Sequence, residues 1–478
     1  MFVRKRVRED ASDDEEDEDF DVPLGVRMAG LASKPPQRKA AAEPSPPQRK
    51  AAAEPSPSTP SPPPPPAPAV ELPTACLVLI LQAACADGAV PTAARAACVC
   101  RAWRDAVRVA GSALWRHADL SRGWCRPSDA IVSRLCRAGT WAQLETLNLA
   151  GNSTLSDAAL HAVAEHCPAL TALDVSGCQA FTTASLLHVL APPRRVQALS
   201  LARTVVRPAG AFEANVRELC GAAPWLQRLS LAGCARVSST TLRSLLACGE
   251  LRELDLTGAG SARGVVLPLD ALQQACPKLE VLRISGLGLD AGFSTAPGVG
   301  VAGGFPRLRV CELSSGTRMT SHGAEPSHSS VDDALLARLL CSSTGLRELA
   351  AAGTHVTADG LAALPECALE LLMLDQSDAA DDAAAQVAAS QWHASLQVIS
   401  LAGGGGAVTD DAAAALAVCT ALRRVDLSGS AVTVDGVREL LRRRRHLAVE
   451  LAGCRSLPRP IRQAALAGGA ALRRALGL

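Results

Sequence analysis

The sequence contains no tyrosine, and its aromatic residues make up only 3% of 478 positions. Alanine and leucine must therefore build the core, which favours many thin layers over one deep interior. The chain also has no excess charge of either sign, with 48 basic and 47 acidic residues. This balance argues against an overall basic field of the kind that attracts nucleic acids.

Long apolar runs are missing as well. No apolar stretch reaches the roughly 18 residues that a membrane-spanning helix needs, so no transmembrane segment is expected. The first thirty residues are dominated by acids and lack an apolar stretch, so neither a signal peptide nor a transit peptide is expected. Acidic residues from Asp13 to Asp19, prolines and two copies of PPQRKAAAEPSP predict a disordered tail over residues 1–70.

Cysteines are numerous, but their pattern is not that of a disulfide framework. Their number, 17, is odd, no C-x-x-C occurs, and the closest pair is Cys98 and Cys100. We expect reduced, mostly buried thiols in a nuclear or cytoplasmic protein. The cluster Arg4-Lys5-Arg6 is either a nuclear-import signal or a chance group of basic residues.

From Leu144 onward one pattern of leucines repeats. The unit L-x-x-L-x-L-x-x-N/C appears as LETLNLAGN at Leu144 and LTALDVSGC at Leu170, and twelve copies occur in all. Most copies begin 23 to 30 residues apart, which is the period of leucine-rich repeats. Between copies, residues such as Ser156 precede apolar residues at helical spacing, which predicts a helix with a serine or threonine N-cap.

Each unit should therefore form a strand, a turn and a helix. The predicted fold class is α/β: residues 144–478 form a right-handed leucine-rich-repeat solenoid, shaped like a horseshoe, with strands on one face and helices on the other. Residues 115–143 read as a degenerate first repeat, with a strand from Trp115 and a helix opened by Ser128. Cys178, Cys234 and Cys454 stand where Asn152 stands, so we expect a small side chain that packs inside the turn and satisfies backbone groups.

Residues 71–120 contain a second motif. Leu72-Pro73 is followed by Leu77, Ile80 and Leu81, and Val99-Cys100-Arg101 is followed by Trp103. These residues resemble an F-box, a small three-helix unit. An F-box that leads directly into cysteine-containing leucine-rich repeats is a known family architecture.

The F-box resemblance implies a partner. In that family the unit docks on the Skp-type adaptor of a cullin–RING ubiquitin ligase. By resemblance, the residues that would bind the adaptor or position those that do are Leu72, Pro73, Leu77, Ile80, Leu81, Val99, Cys100 and Trp103. The alternative is a helical cap on the repeats that does not bind an adaptor.

The strand face of the repeats is the predicted surface for a protein substrate. Four apolar residues should align there, with acids nearby: Val281, Val310, Leu371 and Val398, beside Asp255, Glu312 and Asp426. Such a groove suits a partner that carries basic residues. The alternative is imperfect repetition without a selected surface. Two insertions, 286–304 and 314–330, lengthen neighbouring loops and contain Phe293, His322 and His328.

Catalytic motifs are absent from the sequence. It has no G-x-x-x-x-G-K-[ST], no G-x-S-x-G and no H-E-x-x-H, and the cysteines of successive repeats would form a ladder instead of surrounding a metal. We expect no cofactor, no metal and no enzymatic activity. The preferred hypothesis is a non-catalytic substrate receptor of a ubiquitin ligase, and the alternative is a scaffold built from repeats.

Overall fold

The computed structural model describes residues 72–84, 89–121, 126–139, 141–260, 265, 267–287, 303–315, 317–320, 323–326, 331–404 and 406–478. The predicted tail, residues 1–70, lies outside them. Residues 70–478 group as one unit. Among the described residues, no helix combines the length and the apolar character needed to cross a membrane.

The strands form one long parallel sheet. In the described residues thirteen strands pair in chain order, each with the same register to the next. They are β1 (His117–Asp119), β2 (Thr146–Asn148), β3 (Ala172–Asp174), β4 (Ala198–Ser200), β5 (Arg228–Ser230), β6 (Glu253–Asp255), β7 (Val281–Arg283), β8 (Val310–Glu312), β11 (Glu348–Ala350), β12 (Leu371–Met373), β13 (Val398–Ser400), β14 (Arg424–Asp426) and β15 (Ala448–Glu450). An antiparallel hairpin, β9 (Thr317–Thr320) and β10 (Gly323–Pro326), follows β8.

The helices precede the sheet and then alternate with its strands. Three lie before β1: α1 (Thr74–Ala84), α2 (Ala89–Val99) and α3 (Arg101–Ala110). The others are α4 (Asp129–Arg137), α5 (Asp157–His166), α6 (Thr183–Leu190), α7 (Phe212–Ala222), α8 (Ser239–Ser244), α9 (Leu269–Ala275), α10 (Asp333–Leu340), α11 (Ala358–Ala362), α12 (Ala380–Ala389), α13 (Asp410–Leu416), α14 (Val434–Arg443), α15 (Arg459–Leu466) and α16 (Gly469–Leu476). The predicted α/β solenoid is confirmed, and β1 adds a strand before the twelve repeats.

The repeat leucines build a continuous core between the sheet and the helices. Leu144, Leu147 and Leu149 are completely buried, and the equivalent residues of later repeats follow them. A separate small core holds α1, α2 and α3 together, and Trp115 packs against both cores. Because each repeat covers the apolar edge of its neighbour, stability depends on contacts between successive repeats.

A glycine follows most strands and links neighbouring repeats. The backbone N–H of Gly151 donates to the carbonyl of Ser176 at 2.7 Å, and that of Gly177 donates to the carbonyl of Ala202 at 2.7 Å. Both glycines have a positive φ, 75° and 70°, which side chains with a Cβ rarely adopt. The turn therefore favours glycine, although Arg203 and Gln376 take the same position with φ 54°. The turn extends the ladder of hydrogen bonds beyond the three-residue strands.

The predicted role of the polar turn residue is confirmed. Asn152 Nδ2 donates to the carbonyls of Leu120 at 2.7 Å and Leu149 at 2.9 Å. Cys178 Sγ donates to the same Leu149 carbonyl at 3.2 Å. Cys234 and Cys454 repeat this contact, each with a carbonyl of the preceding repeat at 3.1 Å. Asn152 thus supplies a donor to the Leu120 carbonyl, and the cysteines add a second donor to carbonyls that already accept a backbone N–H of their own turn.

Aspartates on the helix side form a second link between repeats. The Asp381 carboxylate accepts hydrogen bonds from the Thr409 backbone N–H at 2.8 Å and from the Thr409 hydroxyl at 2.5 Å. Thr409 is itself the N-cap of α13. We call this arrangement the aspartate clamp, and five pairs show it: Asp129–Ser156, Asp157–Thr182, Asp333–Thr357, Asp381–Thr409 and Asp410–Thr433.

A buried arginine joins two repeats near α6. The Arg194 side chain is 7% exposed, and its guanidinium donates to the carbonyls of Val189 at 2.9 Å, His188 at 2.6 Å and Ala164. These carbonyls belong to the last turns of α5 and α6, where the helix dipole favours a positive charge. Arg194 therefore caps two neighbouring helices at once.

Replacing Asp381 with alanine should destabilise the solenoid. Asp381→Ala leaves the Thr409 N–H without its partner, which costs about 1–3 kcal/mol. Asp382→Ala is the matched control, because Asp382 is exposed in the same helical turn and takes no part in a clamp. Urea unfolding followed by circular dichroism should show a lower midpoint for Asp381→Ala only. Equal midpoints for the two variants would contradict the clamp.

The Asp157 clamp should make stability depend on pH. Burial raises the pKa of Asp157, but hydrogen bonds from Ser185 and Thr182 outweigh it and hold this pKa below its ordinary value. The carboxylate therefore adds stability above about pH 4, which is lost as the pH falls through the folded-state pKa. Asp157→Asn should melt at a lower temperature than the parent at neutral pH, with a smaller gap in strong acid. A gap independent of pH would contradict this.

Candidate functional site

Two surfaces carry the sequence predictions: the three-helix unit (residues 72–114) and the strand face of the sheet. The three-helix unit has a core of its own, made mostly of alanine. Its buried members are Leu77, Leu81, Ala93, Ala96, Ala106, Ala110 and Leu114. So small a core covers only one side of each helix, and the opposite sides remain exposed.

Helix α1 separates its apolar residues into two faces. Leu77 and Leu81 point into the core and are 3% and 1% exposed. Cys76 and Ile80 are four residues apart on α1 and both are exposed, so they lie on its outer side, and the exposed Leu72 comes just before the helix. The spacing of Leu77, Ile80 and Leu81 predicts one apolar stripe, but this prediction is wrong for Ile80. Around the helix Ile80 lies about 60° from Leu77 and about 100° from Leu81, which places it at the surface.

The predicted adaptor-binding residues divide in the same way. Leu72, Pro73, Ile80, Val99 and Cys100 are exposed. Trp103 is half-buried and packs against the small core. Leu77 and Leu81 cannot contact a partner directly, because the core covers them; they hold α1 in place for the exposed residues.

A sharp corner between α2 and α3 exposes Val99 and Cys100. Cys100 has extended backbone angles, φ −159° and ψ 178°, between two helical segments. The Arg104 Nε of α3 donates to the Ala97 carbonyl of α2 at 3.1 Å, and this hydrogen bond links the two helices across the corner. Val99 is 67% exposed as a result.

The strand face presents two rows of side chains in register. We call the first residues of the strands the first row and the third residues the last row. The first row runs His117, Thr146, Ala172, Ala198, Arg228, Glu253, Val281, Val310, Glu348, Leu371, Val398, Arg424 and Ala448. The last row runs Asp119, Asn148, Asp174, Ser200, Ser230, Asp255, Arg283, Glu312, Ala350, Met373, Ser400, Asp426 and Glu450.

The predicted apolar strip is interrupted. Val281 lies beside Val310, and Leu371 lies beside Val398. Glu348 stands between the two pairs, because it aligns with Val310 on one side and with Leu371 on the other. The strip is therefore two separate apolar pairs that flank a carboxylate.

The acidic last row has a local role that the sequence analysis missed. Asp255 Oδ1 accepts from the Thr257 N–H at 3.0 Å, and Asp426 Oδ1 accepts from the Ser428 N–H at 2.8 Å. The same contact recurs for Asp119, Asn148 and Asp174. Each side chain thus stabilises the turn that follows its strand. The acids that recur on this face are therefore explained in part by the need to stabilise the turn after each strand.

Glu312 is also engaged within the protein. Arg283 on β7 forms ion pairs with residues of both adjacent strands. Its Nε lies 2.9 Å from Glu312 Oε1 on β8, and its Nη1 lies 2.7 Å from Glu253 Oε1 on β6. Burial lowers the pKa of Arg283, but the two carboxylates outweigh it and raise this pKa above its ordinary value. The three side chains form a half-buried bridge across β6, β7 and β8.

A shallow depression lies over the early strands instead of the predicted strip. Its volume is about 270 Å³, and β2 to β6 line it. Small first-row residues, Ala172 and Ala198, form its floor, while Asp174 and Asp255 stand at its last-row side. Of the predicted substrate residues, only Asp255 lines this depression.

Asp375 is a further residue that the sequence analysis missed. Its carboxylate follows β12 and accepts a hydrogen bond from the Ala402 N–H at 2.9 Å and another from the Ser400 hydroxyl. Burial raises the pKa of Asp375, and the nearby Asp426 adds to this effect. Most aligned repeats have alanine, serine or threonine at this position, as at Ala402 and Ser428. That departure from the repeat is the signal that could have identified it.

The two predicted insertions are described only in part. Residues 317–326 include the hairpin of β9 and β10 within the second insertion. Phe293, His322 and His328 lie outside the described residues. Where the chain is described, no group of three or more histidine, cysteine or acidic residues is arranged to hold a metal ion.

Comparisons with known proteins give no family. No protein-family model matches the chain, and no curated protein matches it. Among solved structures, the Rad7–Elc1 complex of yeast is similar at 18% identity and a TM-score of 0.43, covering 70% of this chain and 81% of that chain. An internalin (inlF) of Listeria monocytogenes has 14% identity and a TM-score of 0.40, covering 74% and 84%. Both likenesses are too loose to bear on function.

Thiol labelling should separate the exposed cysteines from those of the core. Cys76, Cys98, Cys100 and Cys341 are exposed, whereas burial raises the pKa of Cys178 and of Cys419 to about 11 and leaves little reactive thiolate. Brief iodoacetamide treatment of the folded protein, followed by mass spectrometry, should label the exposed group first. Equal labelling of Cys98 and Cys178 would contradict the described packing.

Proposed function

We propose that this chain is the substrate-recognition subunit of a cullin–RING ubiquitin ligase. The three-helix unit acts as an F-box that docks on a Skp-type adaptor, and the repeats bind a protein destined for ubiquitination. The observation that carries the proposal is where the exposed apolar side chains lie. Among the described residues nine large hydrophobic side chains are exposed, and five of them fall between residues 72 and 110: Leu72, Leu79, Ile80, Val99 and Val109.

Exposure of this kind favours a docking surface over a simple cap. A cap needs apolar residues on its inner side, which Leu77 and Leu81 supply. Outer apolar residues add nothing to that role and carry a risk of aggregation, so they call for a partner. The F-box resemblance supplies the kind of partner, since Leu72, Ile80 and Val99 are among the residues that match the motif.

The repeats would supply the substrate surface. Strand-face side chains of thirteen described strands stand in register, so a bound segment could meet several repeats at once. In the predicted horseshoe this face is concave. Asp174 lines the depression over β2 to β6, and only one of its oxygens is engaged by the turn, which suits a basic substrate group.

The chain would then act without chemistry of its own. Binding adaptor and substrate together raises the local concentration of substrate lysines near the ubiquitin-loaded enzyme. A nuclear or cytoplasmic location is part of the proposal, because the ligase works there. The rival hypothesis is a repeat scaffold whose three helices contact no adaptor.

Adaptor binding decides between these hypotheses. The double variant Ile80→Glu/Val99→Glu should lose co-purification with a Skp-type adaptor, and its affinity should fall by about tenfold or more, because two charges would be buried in an apolar interface. Val418→Glu is the control. Val418 follows α13, far along the chain from the three-helix unit, and its side chain is 50% exposed. Calorimetry gives the affinities, and circular dichroism checks that each variant is folded.

Two results would overturn the proposal. A folded parent chain that binds no Skp-type adaptor would favour the scaffold. Binding that survives Ile80→Glu/Val99→Glu as well as it survives Val418→Glu would show that the adaptor uses another surface.

A further inference from the structure

The C-terminal end of the chain is strongly basic, although the whole protein is nearly neutral. Residues 421–478, here called the basic cap, contain twelve arginines, no lysine and four acidic residues. Their net charge is +8 with His446 neutral, whereas the full chain carries +1. Neither the repeat pattern nor the proposed adaptor contact accounts for this concentration.

Three of these arginines lie at or shortly before the starts of two neighbouring strands. Arg424 is the first residue of β14, Arg423 precedes it, and Arg445 lies three residues before β15. The Ala448 N–H donates to the Arg423 carbonyl at 2.9 Å, so the two strand starts are adjacent, about 4.8 Å apart. All three side chains are exposed.

Other arginines of the basic cap have structural roles. Arg473 donates to the carbonyls of Leu441 and Arg444, both at 3.0 Å, and thereby caps the end of α14. Arg444 donates to the Thr420 carbonyl. These contacts also anchor the segment that carries Arg445, so its position is fixed by the fold.

Among the described residues, no acid forms an ion pair with Arg423, Arg424 or Arg445. Glu439 pairs with Arg442 and Arg443 on α14. Asp435 pairs with Arg438. Within the described residues, the side chains of Arg423, Arg424 and Arg445 have no hydrogen-bond or ion-pair partner.

We infer that Arg423, Arg424 and Arg445 bind an acidic, extended segment of a partner protein. Arginine forks pair well with carboxylates. The three exposed arginines are distributed over the starts of two neighbouring strands, so they suit oxyanions spaced along a chain better than one compact phosphate. No Phe, Trp or Tyr follows Trp392, so this end offers none of the aromatic platforms on which proteins commonly stack single-stranded bases.

A charged peptide tests the inference on the full-length chain. The probe is a fluorescein-labelled peptide of alternating glutamate and serine, and its affinity is measured by fluorescence anisotropy. Arg423→Gln/Arg424→Gln/Arg445→Gln should weaken binding at least about tenfold. The control, Arg134→Gln/Arg217→Gln/Arg243→Gln, removes the same charge from three exposed helix arginines and should stay within about twofold.

Several outcomes would overturn the inference. Equal weakening by the two triple variants would mean that only net charge matters. Binding of the same peptide with glutamine in place of glutamate would exclude recognition of carboxylates. An oligonucleotide that binds more tightly than the peptide, and is lost with the same triple variant, would assign the surface to nucleic acid. None of these results depends on adaptor binding, because the three-helix unit is left unchanged.

Discussion

Each repeat can bury its leucines only against the next repeat, and this constraint governs the remainder of the structure. A three-residue strand such as β2 makes too few hydrogen bonds to hold a sheet alone. The ladder is therefore extended into the turn, where Gly151 donates to the following repeat. Because every strand must fit both neighbours, the register stays the same from β1 to β15. The regular sheet is thus a consequence of stacking.

The same constraint explains why so many polar side chains are committed to the fold. Stacking buries the carbonyls of each turn, and Asn152, Cys178 or an equivalent residue donates a hydrogen bond to them. The helix side has the opposite need, since the first N–H groups of each helix lack partners, and the aspartate clamps supply acceptors. Arg194 serves the last carbonyls of two helices. Polar residues that recur with the repeat are therefore structural until shown otherwise.

This distinction sets how far the sequence alone can lead. The period predicted the strands, the helices and the rows on the strand face, because stacking imposes one geometry on every copy. The same alignment already places Glu348 between Val310 and Leu371, so the interruption of the apolar strip could have been predicted from the sequence. The period could not, however, tell a substrate-binding acid from one such as Asp426 that stabilises its own turn. Ile80 was assigned to the wrong face because a short helix allows two apolar stripes that only packing can separate.

The ends of the solenoid are where this constraint relaxes. An interior repeat such as that of β7 has its last-row arginine held by Glu253 and Glu312 from both sides, so few of its groups are left for a partner. At the ends one neighbour is missing. The three-helix unit, before β1, leaves Ile80 and Val99 exposed, while β15 is the strand of the described sheet whose two outward residues are both exposed. Residues on the surfaces at the two ends can therefore be substituted without disturbing the stacking of the repeats. An apolar surface at one end and a basic surface at the other are therefore better candidates for selected binding sites than the regular rows between them.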